Sequence, residues 1–136
     1  MTDNREALCA LHFPSDPGNW QAAFECDPSL ELDIANVDRV IASADGHNDG
    51  DSWLAVLRLK DGRFAFLSAW CDYTGWGCRD GATMSTCDTL EDLMLGYVGD
   101  EDALRLGLKM PDASDEDKVA LARREAGHRD ARGPRA

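Results

Sequence analysis

Apolar and polar residues follow a strand-like pattern most clearly over residues 52–70. Ser52 to Lys60 and Arg63 to Trp70 are two largely apolar runs separated by Asp61-Gly62. Asp-Gly at that place predicts a β-hairpin, because a type I′ turn needs positive φ at both central residues. A two-residue turn sets Lys60 opposite Arg63, Leu59 opposite Phe64, Leu57 opposite Phe66 and Trp53 opposite Trp70. One face then carries Trp53, Ala55, Leu57, Leu59, Phe64, Phe66, Ser68 and Trp70, and that face is predicted core. The other carries Leu54, Val56, Arg58, Lys60, Arg63, Ala65, Leu67 and Ala69. It is apolar at one end and cationic at the turn, so it is expected to be half covered.

Other periods predict the remaining elements. Leu8 and Leu11 at i, i+3 suit a short helix over 3–12. Pro14 to Gly18 breaks it, and Asn19 is placed to cap a second helix over 20–26 with Trp20, Ala23 and Phe24 on one side. Val37 to Ala44 is β-like around Val40 and Ile41. Asp80-Gly81 turns the chain into an extended piece over 82–87. Asp88-Thr89-Leu90-Glu91 resembles a capping box, and Leu90, Leu93, Met94 and Tyr97 follow at the spacing of one buried helix face. Leu104 and Leu108 at i, i+4 suit a further short helix. Ser114 caps a last one over roughly 115–126, whose larger apolar residues are Val119 and Leu121.

These elements predict an α+β fold, a three- to four-stranded antiparallel meander with short helices packed on one face. The short connections between strands argue against a doubly wound sheet. Residues 1–110 are read as a single domain, and 111–136 as a weakly packed helix and basic tail.

Composition fits this reading, with 43% hydrophobic and 29% charged residues in a chain of 136. Charge changes the picture more. Fourteen basic and 26 acidic side chains leave a net charge of −12, which argues against binding nucleic acid directly or docking on an anionic membrane. Residues 1–50 carry 2 basic and 10 acidic side chains, net −8. Residues 118–136 carry Lys118, Arg123, Arg124, Arg129, Arg132 and Arg135 against Glu125 and Asp130. The polar start and the absence of an apolar run long enough to span a bilayer predict a cytoplasmic protein with reduced thiols.

Several groups of residues could carry chemistry. Cys71, Cys78 and Cys87, with His47, could hold zinc, although no C-x2–4-C knuckle is present. A thiol nucleophile would need Cys71 or Cys78 to meet His47, His12 or His128. Asp45-Gly46-His47-Asn48-Asp49-Gly50-Asp51 is dense in oxygen, but as an EF-hand loop it fails with His47 at position three and Val56 at position twelve. A polar turn between two strands accounts for it. No P-loop, dinucleotide fingerprint or nucleophile elbow occurs. The segment Trp70-Cys71-Asp72-Tyr73-Thr74-Gly75-Trp76-Gly77-Cys78 places aromatic residues and glycines in a loop after a strand, where they can anchor a protein partner.

The stretch from Asp45 to Leu108 resembles a group of small proteins from bacteria and their phages. The acidic turn 45–50, Leu57-Arg58-Leu59-Lys60-Asp61-Gly62-Arg63, and above all Cys71 to Cys78 carry the likeness. The resemblance implies a prokaryotic or phage origin and brings no function with it. Small acidic phage proteins commonly block host enzymes, CRISPR effectors among them, and size and charge supply that analogy. The expectation is therefore a non-enzymatic acidic binding protein, an inhibitor that mimics nucleic acid toward a basic or nucleic-acid-handling protein. Its contacts are expected at Tyr73, Trp76, Asp72, Asp45, Asp49 and Asp51, with no cofactor. The alternatives are a metal- or thiol-dependent domain using Cys71, Cys78 and Cys87, and an accessory subunit or homodimer without activity of its own.

Overall fold

Four strands, β1 (Val37–Ala44), β2 (Trp53–Leu59), β3 (Phe64–Cys71) and β4 (Asp80–Cys87), form one antiparallel sheet in chain order. The computed structural model describes residues 5–25, 34–47, 50–71 and 80–135, with side chains for all of these but 71, 80 and 128–135. Helices α1 (Arg5–His12) and α2 (Pro17–Glu25) and a 3-10 turn (Ile34–Asn36) precede the sheet. Helices α3 (Leu90–Gly96), α4 (Asp100–Arg105) and α5 (Asp115–Arg135) follow it. The class is α+β, built on a meander.

The helices, expected together on one face, divide between the two. Cys9, Phe13, Trp20, Phe24 and Ile34 pack with Trp53, Ala55, Leu57, Ala65 and Leu67 on the first face. There Phe13 stacks on Trp20 with centroids 4.1 Å apart. Leu90, Leu93, Met94, Leu108, Val119 and Ala122 cover Ile41, Leu54, Val56 and Phe66 on the second. Leu54, Ala55, Val56 and Leu57 are all fully buried, because β2 is central and roofed on both sides.

The hairpin departs from its expected register by one residue. Arg58 pairs with Phe64, Val56 with Phe66, and Trp53 with Ala69. Lys60, Asp61 and Gly62 form a three-residue loop, with Gly62 donating to the Leu59 carbonyl and Leu59 donating to that of Arg63. Gly62 takes positive φ, +93°, and with these bonds the loop is a type I turn closed by a glycine bulge rather than a two-residue type I′ turn. Asp61 stabilises the loop by accepting from the Arg63 backbone N–H and Nε, both at 2.9 Å. Those bonds hold its carboxyl below the usual carboxylate range. A one-residue slip exchanges the faces of β3. Ala65, Leu67 and Ala69 therefore join Trp53 and Leu57, while Phe66 packs in the second core. Trp70, expected in the core, is 44% exposed.

Two helix faces also differ from their periodic reading. The α3 helix starts on Thr89, whose hydroxyl accepts from the Asp92 N–H at 3.1 Å, and stops at Gly96. Tyr97 is thus its C-cap and exposed, and Val98 fills the core position instead. The α4 helix ends in a Schellman closure, with Leu108 N–H donating to the Ala103 carbonyl and Gly107 N–H to that of Leu104. Gly107 has φ +74° there. The reversal buries Leu106 and Leu108 and leaves Leu104 exposed.

The last helix is docked over its first turns rather than loosely appended. Ser114 Oγ accepts from the Asp117 N–H at 3.2 Å, Val119 and Ala122 are buried, and Lys118 is 4% exposed. Lys118 Nζ donates to the Val98 carbonyl at 3.1 Å and to Asp100 Oδ1 at 3.3 Å. It therefore ties α5 to the junction of α3 and α4, where that carbonyl lacks a helical donor. No helix among the described residues is long and apolar enough to cross a membrane.

Candidate protein-binding surface

The turn between β1 and β2 and the ends of β3 and β4 lie at the same end of the sheet, because Ala44 pairs with Leu54, Leu54 with Ser68 and Cys71 with Asp80. Asp72, Tyr73, Trp76, Cys78 and Asp49, all singled out in the sequence, lie outside the described residues. Asp45 and Asp51 are described. Asp45 is an acceptor for its own fold. Its Oδ1 accepts from Trp20 Nε1 at 2.9 Å, its Oδ2 from Ser15 Oγ at 2.6 Å, and its carbonyl from an Arg105 guanidinium nitrogen at 3.1 Å. It thereby joins the helix layers of both faces. Asp16 acts similarly, accepting from Trp53 Nε1 at 2.7 Å and Asn19 Nδ2 at 2.8 Å. Tryptophans buried in a core still require a partner for the indole N–H, and these two carboxylates supply it.

The oxygen-rich turn holds itself together through its backbone. His47 N–H donates to the Asp51 carbonyl at 2.8 Å, and Gly50 N–H to that of His47 at 3.1 Å. A Cβ at Gly46 would collide with the backbone of Asp51, Ser52 and Trp53, so glycine is required for this close approach. Asp51 is exposed. Among the described residues no three His, Cys, Asp or Glu side chains are grouped to hold a metal ion.

Cys71 stands at the register of Asp80, whereas Cys87 pairs with Phe64 at the far end of β4. Seven strand steps separate those positions, roughly 23 Å at about 3.3 Å per residue. Cys71 and Cys87 therefore cannot ligate one ion, which removes the alternative of a three-cysteine metal site. Burial, with Asp92 and Asp88 nearby, pushes the Cys87 thiol up, so it is a poor thiolate.

Acidic residues concentrate in the layer that covers the second face. Residues 88–117 contain 10 acidic side chains and 2 basic ones, Arg105 and Lys109, net −8. Three acids open α4 and three open α5, positions where carboxylates also stabilise a helix N-terminus. In the first fifty residues, by contrast, the described carboxylates are largely occupied. Asp16 and Asp45 hold tryptophans, Glu25 pairs with Arg5 at 3.4 Å, and Asp38 pairs with Arg39 at 3.0 Å. Among the described residues, the negative surface thus lies mostly over 88–117, where Glu91 pairs with Arg123 and Asp100 with Lys118, and α5 turns basic beyond Asp117.

The same layer exposes large apolar side chains: Leu95, Tyr97, Leu104 and Met110, the last 67% exposed. Met110, Pro111, Ala113, Ala120 and Leu121 line an open groove of about 730 Å³ together with Asp112, Asp117 and Arg124. Periodicity hid Tyr97 and Leu104, since it assigned both to buried faces. The acidic runs Asp100-Glu101-Asp102 and Asp115-Glu116-Asp117 were the signal pointing to this layer. No family model, no curated protein and no solved structure matches the chain.

Proposed function

We propose that the chain is a non-enzymatic binding protein that engages a basic, nucleic-acid-handling protein through the α3–α5 layer. The observation that carries this reading is the coincidence of net charge −8 over residues 88–117 with exposed Leu95, Tyr97, Leu104 and Met110 on the same layer. Spaced carboxylates attract and orient a cationic partner, and apolar anchors supply residence time once the two surfaces meet. In its specific form the protein is a cytoplasmic inhibitor of the phage type, occupying a groove that otherwise receives nucleic acid, as an anti-CRISPR protein does. Tyr73 and Trp76 remain proposed as aromatic anchors, with Asp72, Asp49 and Asp51 as accompanying charges. Asp45 is withdrawn from that set, because both of its carboxylate oxygens serve the fold.

The test is capture from host lysate at low and moderate salt, with Tyr97→Ser/Leu104→Ser and Trp76→Ala as comparison baits. A dominant partner whose retention drops about tenfold at moderate salt and on loss of the apolar anchors supports the reading. A partner held equally at both salt levels by all three baits refutes it.

A further inference from the structure

The two edges of the sheet are finished differently. β1 has register shifts between Val37 and Arg39 and between Val40 and Ala42, carries the Asp38–Arg39 pair, and is packed by α5. Bulges, charges and a covering helix are the usual means of keeping another strand off an edge. β4 is also packed by a helix, α3, and opens on Asp80, but it lacks the bulges. Its eight pairs with β3 run from Phe64–Cys87 to Cys71–Asp80 without a shift. Gly81-Ala82-Thr83-Met84-Ser85-Thr86-Cys87 contains neither a charge nor a proline. The one described contact from a charged side chain is Arg63 Nη1 to Thr86 Oγ1, at 3.4 Å, and Arg63 is already paired with Asp61. Among the described residues no backbone or side-chain group bonds to the outer edge of β4.

We infer that the outer edge of β4 receives an extended segment of the partner protein as a fifth strand, and that this segment carries Lys or Arg at its ends. Edge addition uses main-chain hydrogen bonds for affinity and leaves specificity to the flanks. Those flanks are acidic on balance: Arg79 and Asp80 stand at the opening of the strand, and Asp88, Glu91 and Asp92 follow its end. The same acids turn away a second copy. Antiparallel self-pairing about Met84 would set Asp80 opposite Asp88 at both ends, and each chain brings a net charge of −12. The inference rests on the protein-binding reading above for the sign of the partner's charge.

The probe is an acetylated and amidated peptide, Lys-(Thr-Val)3-Lys, compared with the same peptide N-methylated at alternate residues so that one hydrogen-bonding edge is blocked. Amide exchange of the full chain is followed by NMR. At saturating peptide, alternate amides within residues 81–87 should slow by about tenfold, as ligand at ten times its dissociation constant requires. The N-methylated peptide should leave them unchanged, and Thr83→Lys/Thr86→Lys should abolish the effect. Unchanged exchange in 81–87 overturns the inference, as does protection of those amides before peptide is added. Protection that grows with protein concentration, with a dimer by light scattering, overturns it in favour of a second copy. A lysate partner retained by Thr83→Lys/Thr86→Lys but lost with Tyr97→Ser/Leu104→Ser overturns the edge inference alone and leaves the binding reading standing.

Discussion

Replacing Asp45 by alanine removes two hydrogen bonds at once, from Trp20 Nε1 at 2.9 Å and from Ser15 Oγ at 2.6 Å. The Arg105 bond goes to the Asp45 carbonyl and survives. Trp20 is fully buried and stacked on Phe13, so its indole cannot turn toward water to recover a partner. Leaving such a donor unmade costs about 1–3 kcal/mol. Ser15 is exposed and re-solvates, so it adds about 0.5 kcal/mol at most. The expected loss is therefore about 2 kcal/mol, which lowers Tm by roughly 7 °C for a chain of this length. A double-mutant cycle with Trp20→Phe isolates the indole bond from the packing lost with the larger ring. Chemical denaturation should give a coupling energy of about 1–2 kcal/mol. Asp45→Asn, which keeps an acceptor oxygen, should recover most of it. A coupling below about 0.3 kcal/mol, or an Asp45→Ala protein with unchanged Tm, would refute the structural role and return Asp45 to the partner-facing set.

Three further outcomes are expected. Lys118→Met should destabilise the protein by about 1–3 kcal/mol, because the Val98 carbonyl loses its donor, and faster amide exchange should concentrate in α5; unchanged exchange there contradicts the docking described. Gly81→Val should drive the Trp70 ring off β4, since any Cβ at that position meets the indole, and Trp70 emission should shift to the red relative to a Trp70→Phe background. Partial burial holds His12 below its usual value of 6.5, outweighing the attraction of Asp38. The unfolded chain then binds the proton more readily, so stability present above 6.5 is lost as pH falls below it. Thermal midpoints should decline between about pH 7 and about pH 5, and less so in His12→Gln; equal declines in both proteins would discount His12.

Local signals were legible where one residue type had a single use. Thr89 and Ser114 begin helices as their spacing implies, and Gly107 ends one because its positive φ suits no other residue as well. The alternation of β2 located the centre of the sheet. The binding layer was less legible. Asp100 to Asp102 and Asp115 to Asp117 look the same whether they stabilise a helix start or face a partner. Tyr97 and Leu104 fit a buried period and are released from it only by where α3 and α4 stop. The cysteines depended on register, which no spacing along the chain supplies.

The sequence by itself determined the antiparallel meander, the order of its main elements and the acidic character of the molecule, because these follow from local periodicity, turn residues and charge count. Tertiary structure decided which side of β3 is which. Asp61-Gly62 permits both a two-residue and a three-residue loop, and the choice moves every β3 side chain to the opposite face. It also decided that helices cover both faces, since the apolar stripes on α1, α2, α3 and α5 do not say which side of a two-faced sheet they will cover. And it decided which carboxylates are spent inside the fold, because Asp16 and Asp45 meet their tryptophans across 37 and 25 residues of chain.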